Sequence, residues 1–242
     1  MRVNAVIQAR SGSTRLPGKV LQDLGGRPVL EWVIRAARSA GQLDAVVVAT
    51  TTEAGDDAVA ALAVGLGVPV VRGSEDDVLS RFLLAVRQHP CDAVVRLTAD
   101  CPLLDPELID AVAGAWRAAP GYDYVSTVLC RSLPRGLDVE LVTAAALRRV
   151  DAVAAGHDRV HVTSGVYADP LAFALLGLHV APRADDLRVT LDTTEDLRLL
   201  SSLVALLPDR PAHWREVVAL LRDRADLVAI NAAVEQKPLE AG

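Results

Sequence analysis

The chain alternates between short, nearly continuous apolar runs and longer stretches in which apolar residues return at helical spacing. Val3–Ala9, Ala45–Thr50, Val68–Arg72 and Ala93–Thr98 are runs of the first kind, and they read as strands covered on both faces. Between them, Pro28–Ala40, Ala54–Leu66, Asp77–Gln88 and Pro106–Ala118 carry Ala, Leu and Val at helical intervals, with Pro or acidic starts that suit a first turn. This βαβα succession predicts a mostly parallel sheet. After Pro120 the pattern loosens. Tyr124–Val128, Leu137–Val142 and Phe173–Val180 read as strands with irregular connections, and Leu187–Leu191 reads as a last strand leading into a helix over Thr194–Leu207. The expectation is an α/β fold with a mostly parallel mixed sheet. A single domain spans 1–242, with a less regular region over roughly 120–182 and a frayed polar tail from Ala233.

With 242 residues, 51% of them hydrophobic, and a mean hydropathy of +0.29, there is material for a sizeable core. A net charge of −6 and an aromatic content of 3% argue against nucleic acid as a partner, because backbone neutralisation needs cations and base stacking needs rings. Any phosphate site therefore has to be local. No apolar stretch reaches the roughly 20 residues that span a bilayer, so no membrane partner is expected. The apolar run at the start is too short for a secretory leader, and a cytoplasmic location follows as an expectation. Cys91, Cys101 and Cys130 are odd in number and lack CxxC spacing, which fits free thiols in a reducing compartment better than a disulfide framework or a zinc site.

Open α/β sheets bind ligands beyond the carboxyl ends of their strands, and three such ends here carry unusual residues. After the first strand, Gln8-Ala9-Arg10-Ser11-Gly12-Ser13-Thr14-Arg15-Leu16-Pro17-Gly18-Lys19 combines small residues, two glycines and three cations. Glycine lets backbone N–H groups approach phosphate closely, and Arg10, Arg15 and Lys19 supply charge. The Walker A pattern fails, since five residues separate Gly12 from Gly18 and Val20 follows Lys19; GxGxxG fails as well. After the fourth strand, Thr98-Ala99-Asp100-Cys101-Pro102 places a carboxylate at a strand end before a Pro turn, where it suits a hard cation such as Mg²⁺. After Leu187–Leu191, Thr193, Thr194, Glu195 and Asp196 read as helix capping, an account that leaves Asp192 over. Finally, Pro134–Glu140 and Asp158–Thr163 mix carboxylates with Arg and His. Asp138 and Glu140 alternate like an exposed strand face, yet with Arg159 and His161 they also suit an acceptor pocket.

Together, QARSGSTRLPGKVL at Gln8–Leu21, RLTADCPLLDPELID at Arg96–Asp110, PRGLDVE at Pro134–Glu140, DRVHVT at Asp158–Thr163 and VTLDTTEDL at Val189–Leu197 resemble the cytidylyltransferase family of CMP-sugar synthetases. The resemblance is closest to the branch related to spore-coat polysaccharide biosynthesis protein F. It implies a three-layer α/β/α nucleotidyltransferase fold of the glycosyltransferase-A-like, Rossmann-like kind. It also implies a Mg²⁺-dependent transfer of CMP from CTP to a small-molecule acceptor, with release of pyrophosphate and a homodimer as the assembly.

Carried over residue by residue, Gln8, Ala9, Arg10, Ser11, Gly12, Ser13, Arg15, Lys19 and Thr98 would bind the nucleotide. Asp100 and Asp192 would hold the metal and, with Lys19 and Arg15, act in catalysis. Asp138, Glu140, Arg159 and His161 would face the acceptor, an acidic sugar in the first instance and a phosphonate as the alternative. Two departures bear on this: Val160 stands where the family often has Glu between Arg and His, and Thr194 stands where it often has Pro. A non-catalytic nucleotide-binding subunit is the alternative from another class, and the paired aspartates argue against it.

Overall fold

The computed structural model describes residues 1–236. Its first strand, β1 (Val3–Gln8), runs straight into the Gly-containing loop. A short hairpin, β2 (Asp23–Leu24) and β3 (Arg27–Pro28), precedes α1 (Val29–Ser39). Then β4 (Ala45–Thr51), α2 (Asp57–Gly65), β5 (Val70–Gly73), α3 (Val78–Gln88), β6 (Ala93–Thr98) and α4 (Pro106–Ala118) follow in the expected order. The second half holds β7 (Tyr124–Ser126), β8 (Glu140–Thr143), α5 (Ala144–Asp151), α6 (His157–His161), α7 (Ser164–Tyr167) and β9 (Leu175–Gly177). It closes with α8 (Thr194–Leu206), α9 (Trp214–Asp223) and α10 (Ala225–Asn231).

Seven strands form one sheet in the order β5-β4-β1-β6-β8-β7-β9. β5, β4, β1 and β6 are parallel, β8 pairs antiparallel with both β6 and β7, and β9 runs parallel to β7. The sheet is therefore mixed and mostly parallel, as its alternating pattern predicts. Successive strand residues supply opposite cores, because side chains alternate across the pleat. Val3, Ala5 and Ile7 join Leu97, Ile34, Val112, Leu200 and Trp214 on one face. Val6 and Val94 join Leu79, Phe82, Leu147 and Val166 on the other. Helices thus cover both faces, giving three layers. Among the described residues no helix is long and apolar enough to cross a membrane.

Helix starts are fixed by side chains that the sequence makes recognisable. Asp105 caps α4 by accepting from the Glu107 N–H, with Pro106 in the first turn, and its other carboxylate oxygen accepts from the Trp214 N–H at 2.7 Å, joining α9 to α4. Thr193 and Asp196 form a reciprocal capping box on α8. These caps bear on the site because α4 follows Asp100 and α8 follows Asp192.

One expected element is corrected. Leu187–Leu191 is extended and its alternate residues Leu187, Val189 and Leu191 are buried, but it is not a strand of the sheet. Its backbone bonds go to loops instead: Val189 N–H to Arg135, Arg135 N–H to Leu187 and Leu191 N–H to Asp100. Gly136 permits this approach. Its φ is +101°, and a Cβ there would lie 2.6 Å from the Thr190 nitrogen and the Val189 carbonyl carbon. The remaining three expected strands of the second half are shorter than their apolar runs, beginning or ending where backbone partners stop.

Gly136→Ala is expected to lose about 2–3 kcal/mol of stability, from a disfavoured dihedral combined with backbone overlap. Gly26→Ala shares a positive φ of +84° but meets nothing within 4 Å, so it should lose only about 1 kcal/mol. Urea unfolding of both variants checks the difference; equal losses would show that close approach at Gly136 is unimportant.

Candidate active site

The loop after β1 is held as a compact turn. The Gly18 N–H donates to the Ser11 carbonyl at 2.9 Å, and Gly18, with φ +67°, turns the chain into a single 3-10 turn that delivers Lys19. Its start is anchored to neighbouring strand ends. Asp56, buried after β4, accepts from the Ser11 N–H and hydroxyl at 2.6 and 2.7 Å and also from the Thr51 hydroxyl. Arg10 pairs with Glu75 beyond β5.

Lys19 then meets both carboxylates, Asp100 after β6 and Asp192 before α8. Its Nζ lies 2.6 Å from Asp100 Oδ2 and 2.7 Å from Asp192 Oδ1, although the two aspartates are 92 positions apart by their numbers. Arg15 reaches Asp192 Oδ2 at 2.9 Å, and Arg188 reaches the same oxygen at 2.7 Å. The backbone locks this meeting: Leu191 N–H donates to the Asp100 carbonyl at 2.8 Å. Burial favours the uncharged forms, but the surrounding charges prevail. Lys19 is held above its ordinary value despite desolvation, by Asp100 and Asp192. Asp192 falls to about 2 despite its burial, through Lys19, Arg188 and Arg15. Both displacements express one attraction and count once.

A cavity of about 870 Å³ opens beside this cluster, within the range of small-molecule sites. Thr98, Asp100 and Asp192 line it together with Asp138, Glu140 and His161. Glu140, at 7% exposure on β8, is fully engaged: Arg96 holds one oxygen, and Tyr124 and Thr163 hydroxyls each donate to the other at 2.6 Å. Desolvation pushes its carboxyl upward, but Arg96 and the two hydroxyls keep it below the ordinary carboxylate range. Asp138 is different. Burial raises it, even though Arg131 grips it with two bonds of 2.7 and 3.2 Å.

The structure thus assembles Lys19, Arg15, Asp100, Asp192, Thr98, Asp138, Glu140 and His161 around one space. Gln8 contributes indirectly, accepting from Arg96 through its side-chain oxygen at 3.2 Å. Ala9 is buried backbone support, bonded to Ala49, and the Ser13 hydroxyl accepts from the Leu16 N–H within the loop. Gly12 lies near the Glu75 carboxylate. Arg159 stands apart from this space: it pairs with Asp77 at 2.6 Å and Asp151 at 2.9 Å and lines a separate cavity. Those carboxylates satisfy its fork there.

The chain is similar to known proteins. The family model described as cytidylyltransferase matches residues 4–207. The chain belongs to the cytidylyltransferase family. Spore coat polysaccharide biosynthesis protein SpsF of Bacillus subtilis is 34% identical over 230 residues, covering 91% of this chain and 94% of that one. A 3-deoxy-manno-octulosonate cytidylyltransferase of Bdellovibrio bacteriovorus is 38% identical over 125 residues, about half of each chain, at 51% and 49%. The structure of a cytidylyltransferase from Leptospira borgpetersenii matches with a TM-score of 0.92 and 28% identity, over 98% of this chain and 100% of that one. The protein is accordingly a CTP-dependent nucleotidyltransferase.

Three residues of this cytidylyltransferase site escape the sequence reading. Arg96 lies within an apolar strand, Arg131 in an irregular loop, and Arg188 within an extended segment whose next residues draw attention to capping. Only the opposite-face alternation of Arg188 and Asp192 with buried Val189 and Leu191 signals the last of them.

The low value of Asp192 predicts an acid-sensitive stability term. The carboxylate is depressed in the folded state, from 3.8 to about 2, so its contribution is present above about pH 4 and is lost as pH falls toward 2. Asp192→Asn is expected to be less stable at pH 7 by about 1–2 kcal/mol, after allowance for solvent screening, with the gap closing over that window. Denaturant melts at pH 7 and in acid measure it. A gap unchanged down to pH 2 contradicts the assignment.

Proposed function

We propose that this cytidylyltransferase transfers CMP from CTP to an anionic small-molecule acceptor, an acidic sugar in the first instance, by in-line attack at the α-phosphorus, with Mg²⁺ held by Asp100 and Asp192. The observation that carries the reading is the convergence of both carboxylates on one cation, the Lys19 ammonium, at 2.6 and 2.7 Å. Carboxylates that meet at a single cationic group are spaced to share a hard cation. Among the described residues no third Asp, Glu, His or Cys joins them. Two carboxylates with phosphate oxygens and water completing the shell are the usual provision for Mg²⁺, so the residues present fit the ion. When bound, it would neutralise charge at the reacting phosphate and lower the pKa of an attacking hydroxyl.

The chain's own residues supply the rest. The compact loop from Ser11 to Gly18 brings backbone N–H groups and the cations Arg15 and Lys19 to the triphosphate side. In the reaction the acceptor oxygen forms a bond to the α-phosphorus while the bond to the β-phosphate's bridging oxygen breaks. Pyrophosphate carries that electron pair away. Lys19 stays cationic at neutral pH, held so by the two aspartates, and can stabilise the charge gathering on the departing group.

Support for an anionic acceptor comes from the far wall. Arg135 lines the cavity and makes no ion pair among the described residues; burial and the neighbouring Arg131 and Arg188 cations lower its pKa, against the pull of Asp138. An acceptor carboxylate or phosphonate placed there would relieve that excess of positive charge. The names of SpsF and of the 3-deoxy-manno-octulosonate enzyme favour a sugar acid over a phosphonate.

Pyrophosphate release with CTP and Mg²⁺, scanned over sugar acids, sugar phosphates and phosphonates, tests the proposal. Asp100→Ala and Asp192→Ala should each lower kcat by at least about a hundredfold with the fold intact. Near-normal turnover in both sinks the two-carboxylate mechanism. Arg135→Ala should raise the acceptor KM about tenfold with kcat little changed. An unchanged KM, or a best acceptor without an acid group, refutes the anionic subsite.

A further inference from the structure

Asp192 is held not only by cations of the phosphate loop. Behind it stands Asp196, which is wholly buried and accepts from five N–H groups. Its Oδ2 takes the Asp192 and Thr193 N–H groups at 2.9 and 3.1 Å and Arg188 Nη2 at 3.0 Å. Its Oδ1 takes Arg188 Nε at 3.0 Å and, from α10, Asn231 Nδ2 at 2.8 Å. Arg188 then extends Nη2 to Asp192 Oδ2 at 2.7 Å and Nη1 to Gln236 Oε1 at 2.7 Å. Asn231 is itself buried, at 6% exposure. The next stretch of chain also reaches the loop, where the Glu235 carbonyl accepts from Arg15 Nη1 at 3.4 Å.

All of these last contacts come from beyond residue 207, where the family match ends. We propose that the C-terminal segment from α10 to Gln236 is a positioning element of the active site, in which Asn231 fixes Asp192 through Asp196 and Arg188. Arg188 has a fork of donors and could swing toward incoming phosphate, leaving Asp192 turned away from the shared cation. A buried Asp196 that is fully satisfied has no reason to release that fork. Removing Asn231 leaves Asp196 short of one donor in a dry site, and Arg188 becomes its remaining side-chain partner, drawn off Asp192.

The inference rests on Asp192 being a metal-holding carboxylate, and the test separates the two. CTP binding is measured by calorimetry in EDTA and in Mg²⁺, alongside turnover and thermal melts. Asn231→Ala should leave the affinity in EDTA within about twofold, cut the Mg²⁺-dependent gain about fivefold and lower kcat about tenfold. Val218→Ala, a buried apolar change on the preceding helix α9, controls for lost packing and should keep both the gain and kcat within about twofold. A shared loss in the two variants, or an unchanged gain in Asn231→Ala, overturns the proposal.

Should Asn231→Ala fold poorly, the same readouts on Gln236→Ala decide, since it frees Arg188 Nη1 without opening the core. A gain reduced about twofold or more supports the positioning role, and an unchanged gain rejects it. Arg188→Lys should make the effect of Asn231→Ala vanish in the double variant, because the link is then already cut. Simple additivity contradicts the relay. If Asp192→Asn keeps the full Mg²⁺-dependent gain, the failure lies with the metal assignment instead.

Discussion

The rest of the site depends on keeping two partly buried carboxylates charged within a few ångströms of each other. Like charges so close, away from bulk water, favour protonation of one of them. Here a lysine ammonium sits between them and two guanidinium groups close on the outer oxygen of Asp192. That arrangement accounts for the composition of the loop after β1. Its glycines shape a turn tight enough to deliver Lys19, and its arginine supplies a second countercharge. The demand for balance also accounts for Arg188, which shares itself between Asp192 and the buried Asp196. With net stability of only about 5–15 kcal/mol in a domain, such clusters persist only when every oxygen and every donor has a partner.

The sheet makes this balance possible by bringing distant segments to one edge. β1 lies between β4 and β6, so the loop after β1 is flanked by the ends of both neighbours. Asp56 from one side ties down Ser11, while Asp100 from the other meets Lys19. The antiparallel strand β8 then inserts Glu140 against Arg96 of β6, closing the far wall with a charge pair that hydroxyls complete. The C-terminal end of β6 and the start of β8, paired at Arg96 and Glu140, thus lie at the same edge as the loop after β1, and Gln8 of β1 accepts from Arg96 there.

Much of this was legible in the residues. The apolar runs located β1, β4 and β6 closely, because strands buried on both faces leave a continuous hydrophobic signature. Asp192 stands out because capping explains its neighbours and leaves it over, and Asp100 because a carboxylate at a strand end before a Pro turn suits a hard cation, although turn chemistry alone also accounts for it. What stayed hidden had physical reasons. Leu187–Leu191 has the alternation of a strand, and period-two burial does not reveal whether the backbone partner is a sheet or a loop. Arg159 looked like its motif neighbours, yet carboxylates from α3 and α5 claim it, contacts that no local pattern encodes. Within the tail from Ala233 that is expected to fray, Glu235 and Gln236 instead bond to Arg15 and Arg188; residues 237–242 lie outside the described residues.

In the proposed mechanism Asp100 and Asp192 share a divalent cation beside the α-phosphate of CTP. A crystal structure with CTP and Mn²⁺, read by anomalous scattering, addresses it directly. The expected result is one anomalous peak in contact with both carboxylates and an α-phosphate oxygen, with the Lys19 ammonium moved onto phosphate. Manganese bound elsewhere, with Lys19 still bridging the two aspartates over bound nucleotide, would contradict it.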